Sequence, residues 1–318
     1  MRTGTLPYLQ QGDTVIIVSP AGCIERERVD NARRVLSSWG LTVLEGEYAL
    51  SRNGIFAGTD EVRSADVQWA LNHPTAKAII FSRGGYGSAR IIEGLDFTAF
   101  IRTPKWLAGF SDITVFHSLL SQFPQLSQFP QFSQLPYKAN IVPSIHGAMP
   151  QTYPTDDMDD IALKSLHNAL FGEGINFEWQ STYCNEGSVT APLTGGNLSV
   201  LYSLRGTPYD INPKGKILLI EDLNEMDYHI DRILQNFKHS GWFGQIAGLV
   251  TGQFTDIRSG QRPYPKSFEE MIREYTEPYN IPVATNVPVG HIPHQQAVYL
   301  NVDTTLTVTK DGVATISQ

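Results

Sequence analysis

The sequence predicts an α/β protein of two domains, and three observations predict it. From residue 14 onward, short runs of apolar, β-branched residues alternate with stretches of helical periodicity. The chain has 318 residues, a length that builds two cores more readily than one. Apolar residues make up 41% and charged residues 18%, a charged share below the roughly 25% of an average soluble protein, which argues against global disorder.

The elements follow in order. Thr14-Val15-Ile16-Ile17-Val18, closed by Ser19-Pro20-Ala21-Gly22, reads as a buried strand meeting a turn. Residues 25–39 place Val29, Ala32, Val35 and Leu36 at helical intervals, Gly40 ends them, and 41–44 restarts a strand. Residues 60–71 are helical, 76–81 a strand, Gly84 to Gly87 a turn, 88–94 helical, 106–110 a strand and 112–121 helical. This rhythm implies a Rossmann-like or flavodoxin-like parallel sheet with helices on both faces, its sites beyond the carboxyl ends of the strands. Three hexapeptides then repeat at 121–126, 127–132 and 133–138, and prolines at that interval forbid a regular helix. They read as a duplicated surface loop without a catalytic role.

Residues 1–150 thus form the first domain and 151–188 a linker. Asp156, Asp157, Asp159 and Asp160 within the linker read as a solvated run opening a helix at 161–170 rather than as metal ligands. A smaller α/β domain spans 189–318. It holds the Gly195-Gly196-Asn197 turn before helical 198–204, strands at 217–220, 246–251, near Val283 and at 298–308, and helices at 226–238 and 267–275.

Twenty-four basic against 32 acidic residues give a net charge of −8. Without a basic run, that balance argues against nucleic acid or an anionic membrane surface as partner. No window approaches the ~20 apolar residues of a membrane span, and the start of the chain has no apolar leader, so the expected location is the cytoplasm. Cys23 and Cys184 make neither a disulfide framework nor a CxxC pair and read as buried thiols.

Four places carry chemistry. Gly109-Phe110-Ser111-Asp112 stands where an apolar strand runs into a helix. Such a junction lifts a hydroxyl out of the backbone and sets the following N–H groups where an oxyanion can be bound. The same serine also reads as an ordinary N-cap, and Ile113 occupies the second glycine position of GxSxG. Arg83-Gly84-Gly85-Tyr86-Gly87 follows a strand; it lacks the Gly-Lys-Ser/Thr of a P-loop, and Arg90 breaks a dinucleotide fingerprint. It reads as a tight turn or as an anion site, with Arg83 available to a substrate carboxylate. Glu221 and Asp222 end a strand, and either fits a helix cap as well as a site carboxylate. His291 follows a strand-like run; Pro293 between it and His294 breaks the helical geometry of an HExxH metal pair. Ser111, Glu221 and His291 are separated by 110 and 70 residues, so only the fold can assemble them.

Taken together with Gly12-Asp13 to Ser19-Pro20, Gly58-Thr59-Asp60 with Arg63 and Asp66, His146-Gly147, Gly195-Gly196-Asn197-Leu198 and Gly290-His291, these motifs resemble the LD-carboxypeptidase family of serine peptidases (S66), which includes the microcin C immunity peptidases. The likeness runs through nearly the whole chain in the family's order. It implies a triad in which Ser111 attacks, His291 carries the proton and Glu221 orients the imidazole. It also implies an oxyanion hole from the N–H of Asp112 and one from the Gly84-Gly85 turn, taken as Gly85, with Arg83, Gly84 and Tyr86 as substrate contacts. The implied substrate is a murein tetrapeptide cut between the L-centre of its diamino acid and terminal D-alanine, by a cytoplasmic homodimer needing no metal or cofactor. The hexapeptide stretch and the loop after His291 depart from the family pattern. Two other readings stand: an immunity-type peptidase acting on aminoacyl or peptidyl nucleotides, with Trp179 or Trp242 as a base platform, and a non-catalytic muropeptide-binding protein.

Overall fold

Parallel pairing joins five strands at the start of the chain: β1 (Thr14–Val18), β2 (Thr42–Glu45), β3 (Ala76–Phe81), β4 (Trp106–Gly109) and β5 (Ser144–His146). The structure is a computed structural model describing residues 6–126, 128, 140–158 and 160–318. The five strands stand in the order β2-β1-β3-β4-β5, which is flavodoxin-like. Val15 to Val18 and Ala78 to Phe81 are wholly buried, as uninterrupted apolar runs must be when helices cover both faces. Those helices are α1 (Arg26–Ser38), α2 (Asp60–Asn72), the short α3 (Ser88–Ile91) and α4 (Thr98–Arg102), and α5 (Thr114–Leu126).

Helix α5 corrects one expectation. It continues five residues beyond 121, through Pro124. Proline at 124 withholds an N–H from the carbonyl of Leu120, and that carbonyl instead accepts from the N–H of Val142 at 3.4 Å. Phe123 and Leu126 are fully buried, Phe123 against Phe97 and Phe100, and this packing offsets the lost helical bond. The remainder of the hexapeptide stretch, apart from Gln128, lies outside the described residues.

Between 151 and 188 the chain forms α6 (Ile161–Phe171), β6 (Asn176–Gln180) and β7 (Cys184–Asn185). Asp160 caps α6, accepting from the N–H groups of Ala162 and Leu163, while Asp156 and Asp157 are exposed. The second sheet adds β8 (Gly187–Asn197), β9 (Ile217–Leu223), β10 (Gly248–Thr255), β11 (Val283–Ala284), β13 (Asp303–Val308) and β14 (Val313–Ser317) in the order β6-β14-β13-β8-β9-β10-β11-β7. Strands β8 to β11 run parallel and the outer pairs antiparallel. Helices α7 (Leu198–Ser203), α8 (Asp227–His239) and α9 (Phe268–Thr276) complete this half.

The stretch 298–308 divides in two. β12 (Val298–Leu300) pairs antiparallel with β5 of the first sheet, whereas β13 pairs with β8 of the second. Asn301, at φ 64°, makes the break; asparagine tolerates the left-handed region. The side chains of β12 alternate: Val298 and Leu300 pack into the second core, and Ala297 and Tyr299 into the first. Cys23 and Cys184 are free and half-buried rather than buried. Among the described residues, no helix is long and apolar enough to cross a membrane.

Candidate active site

The carboxyl end of β4 leads through extended Phe110 into a single 3₁₀ turn, Ser111–Ile113, and then α5. Ser111 has φ 62°. That is left-handed backbone, which costs a non-glycine residue about 1–2 kcal/mol, and it differs from the extended backbone of an N-cap. The turn leaves Ser111 part-exposed at the sheet edge. Gly84 packs against it: a Cβ at 84 would lie 2.8 Å from Ser111 Cβ, 3.0 Å from its Oγ and 3.1 Å from Asp112 N. Only glycine leaves the hydroxyl and the adjacent N–H uncovered there.

The side chain of Asp112 turns inward, accepting from Ser88 N–H at 2.8 Å, and burial raises its pKa. Its backbone N–H is therefore the part of Asp112 beside Ser111. Arg83 Nη1 donates to the carbonyl of Cys23 at 2.9 Å, tying the loop after β3 to the loop after β1. Gly85 is exposed at φ 106°, and Tyr86, 50% exposed, leans on Phe56 at 5.8 Å. Behind this turn lies Arg63, which is fully buried. It donates to the carbonyls of Pro20 and Gly87 and pairs with Asp60, which also holds Arg90.

The second sheet supplies Glu221 from the end of β9. Its Oε2 lies 2.7 Å from His291 Nδ1. Gly290, at φ 110°, permits the approach, because a Cβ there would meet Glu221 Oε2 at 2.8 Å. Burial opposes ionisation of Glu221, but the imidazoles of His146 and His291 outweigh it and hold its pKa down to about 2. For His291, burial favours the neutral ring, yet the Glu221 carboxylate wins and the pKa rises. Asp222 points elsewhere. It accepts from Asn197 Nδ2 at 2.9 Å and from Ser199 N–H and Oγ–H at the start of α7, and burial pushes its pKa to about 6. Of the two carboxylates ending β9, Glu221 meets the imidazole.

The halves join at the site. The ring of Phe110, next to Ser111, packs edge-on against His291 with centroids 4.8 Å apart. Asn197 N–H donates to Thr114 Oγ1 at 2.9 Å, one turn beyond the serine. A cleft of about 650 Å³ opens beside them, lined by Arg28, Phe110, Tyr153, His291, Ile292 and His294 among others. His294 Nδ1 faces Asp160 at 2.8 Å, so the two histidines serve different carboxylates. Among the described residues, no group of three or more His, Cys, Asp and Glu side chains could hold a metal ion.

One buried group beside the site has no role in the sequence reading. His146, ending β5, puts Nε2 3.8 Å from Glu221 Oε1, an ion-pair distance too long for a hydrogen bond. Its one signal in the sequence was a place in the His146-Gly147 motif. Trp242 is buried and stacks on Phe237 at 4.1 Å, under Arg205. Trp179 is half-buried on edge strand β6 and donates from Nε1 to the Thr285 carbonyl at 3.0 Å.

Known proteins share this arrangement of sequence and fold. Residues 15–130 match the LD-carboxypeptidase N-terminal domain and residues 190–306 the LD-carboxypeptidase C-terminal domain. A probable murein peptide carboxypeptidase of Bacillus subtilis (strain 168) is 31% identical over 300 residues, covering 91% of this chain and 87% of that protein. The murein tetrapeptide carboxypeptidase of Pseudomonas aeruginosa is 29% identical, covering 87% of each. The crystal structure of a muramoyltetrapeptide carboxypeptidase from Oxalobacter formigenes superposes with a TM-score of 0.81 at 27% identity, covering 96% of this chain and 98% of that one. The chain therefore belongs to the LD-carboxypeptidase family of peptidases, S66.

Proposed function

We propose that this chain is a serine carboxypeptidase hydrolysing the bond between the L-centre of the diamino acid and the terminal D-alanine of murein tetrapeptides. Ser111 Oγ attacks the scissile carbonyl carbon while His291 Nε2 takes the hydroxyl proton. The imidazolium so formed is held by Glu221, whose ionised carboxylate is 2.7 Å from Nδ1. The N–H groups of Asp112 and Gly85 receive the oxyanion. Collapse expels the D-alanine amine, which takes the proton from His291 and leaves an acyl-serine. Water, deprotonated by the same imidazole, then attacks the ester, releases the tripeptide and returns the proton to Ser111.

The observation carrying this reading is a serine in left-handed backbone whose neighbour Phe110 packs against the imidazole of a buried Glu–His pair supplied by the other half of the chain. Gly84 and Tyr86 contact the peptide, and Arg83 serves as a cation for its carboxylates. The chain acts without metal or cofactor, as a homodimer in the cytoplasm, its first domain carrying the nucleophile and its second Glu221 and His291.

The test incubates the protein and its Ser111→Ala variant with a murein tetrapeptide and measures free D-alanine. Release by the native chain alone is expected. Release that survives the substitution removes the serine mechanism. Turnover of an aminoacyl nucleotide, with none of the tetrapeptide, moves the substrate to the immunity class.

A further inference from the structure

The site contains two unpaired polar groups facing one another. His146 is fully buried, and neither of its ring nitrogens has a hydrogen-bond partner among the described residues. Glu221 Oε1, equally buried, is also unpaired, and His146 Nε2 lies 3.8 Å away from it. Buried polar groups are nearly always satisfied, and hydrogen bonds at catalytic centres often tighten only when substrate is bound. A movement of roughly 1 Å closes this gap to hydrogen-bond length.

Among the described residues, the titratable groups around them are engaged elsewhere or with the other oxygen of Glu221. On α5, His117 is engaged at both nitrogens, with Ser144 Oγ at 2.8 Å and the Gly109 carbonyl at 2.9 Å. On β9, Asp222 is held by Asn197 and Ser199. In the loop before β12, His291 uses Nδ1 on Glu221 Oε2. The apolar ring of Phe110 also lies 5.7 Å from that of His146.

We propose that His146 is a positioning residue for the triad, donating from Nε2 to Glu221 Oε1 across the boundary between the two sheets and thereby turning Oε2 toward His291. The proposal rests on the triad reading above. A carboxylate held at one oxygen can rotate about its last bond; held at both, it presents Oε2 to the imidazole in one orientation. The donor also compensates the burial of the charge in the step where His291 becomes an imidazolium. The low pKa of Glu221, to which His146 contributes alongside His291, agrees with such a donor.

The experiment compares kcat, KM and the pH profile of kcat/KM for D-alanine release by the native chain and by His146→Ala, His146→Gln and Ser111→Ala. Losing a hydrogen bond to a charged group corresponds to a fall of about 10- to 100-fold in kcat. That fall is expected in His146→Ala, with little change in KM. Its acid limb should move to higher pH, since the Glu221 charge is no longer shared and acts wholly on His291. His146→Gln keeps a donor and should regain most of the rate and the native acid limb. A purely structural role would lower the melting temperature of either variant without moving the acid limb.

A folded His146→Ala with native kcat and profile overturns the proposal. So does His146→Gln, folded, that is no faster than His146→Ala. Where His146→Ala does not fold, the glutamine variant decides: a native rate and acid limb support the donor, and a loss of rate with the native acid limb overturns it. Ser111→Ala separates the two levels, because its retention of activity sinks the triad itself, whereas its inactivity beside unaffected histidine variants sinks only the role of His146.

Discussion

The two sheets contribute to the site in different physical currencies. From the first come backbone features: a serine at φ 62°, the bare α-carbon of Gly84 and the N–H groups beside it. From the second comes charge: a carboxylate that burial alone would neutralise, kept ionised by imidazoles. Conformational strain sets the first half and electrostatic compensation the second. Changes in the backbone features around Ser111 and Gly84 should therefore alter rate without altering its pH dependence, while changes to Glu221 or to either imidazole facing it, His146 of the first sheet included, should alter both.

Four expectations sharpen or break that contrast. The largest effect belongs to Ser111→Ala, which on the triad reading lowers kcat by about 10⁶-fold while circular dichroism shows the fold retained. Glu221→Gln should cost about 10⁴-fold, because an amide donor favours the wrong tautomer of His291. Its residual activity should also have an acid limb at lower pH than that of the native chain, since burial is then opposed only by the charge of Asp222. Gly84→Ala places a Cβ 2.8 Å from Ser111 Cβ, and a serine displaced by a fraction of an ångström to 1 Å should lose up to about 100-fold. Steady-state kinetics should find its acid limb unmoved; a shifted limb would show that the two halves are not separable. The smallest effect lies in the native profile. His291 must be neutral to accept the proton, and its pKa is raised, so kcat/KM should fall as pH drops through a midpoint above 6.5. A midpoint below 6.5 would mean that burial outweighs the carboxylate.

Much of this was legible from residue order, for identifiable reasons. The strands β1, β3, β4 and β9 are largely apolar runs that end at glycine, serine or acid, so local pattern located the strands and the candidate groups at their ends. Three features were hidden because partners distant in sequence decide them. Pro124 stays within α5 because Val142 takes the carbonyl it strands. The region 151–188 looks like a linker by its prolines and aspartates, yet α6 buries Ala162, Leu163 and Leu166 in the first core. His146 ends a strand of only three residues, too short for periodicity, and its relation to Glu221 exists only in three dimensions.

Strand β12 has a consequence for how the molecule can be divided. Because its successive side chains belong to different cores, a chain cut anywhere before residue 298 would leave β5 as an open edge. It would also take Tyr299 away from Trp106 and Tyr8. Open edges invite pairing with other chains. The N-terminal half is thus a poor candidate for separate expression, and melting should proceed as one cooperative event. A ribosome making this chain has produced the serine, the carboxylate and the histidine before it makes the three residues that seal the first sheet. Competence therefore waits on residues 298–300, and a chain cut after residue 294 would carry every proposed catalytic group without the strand that covers the edge of the first sheet.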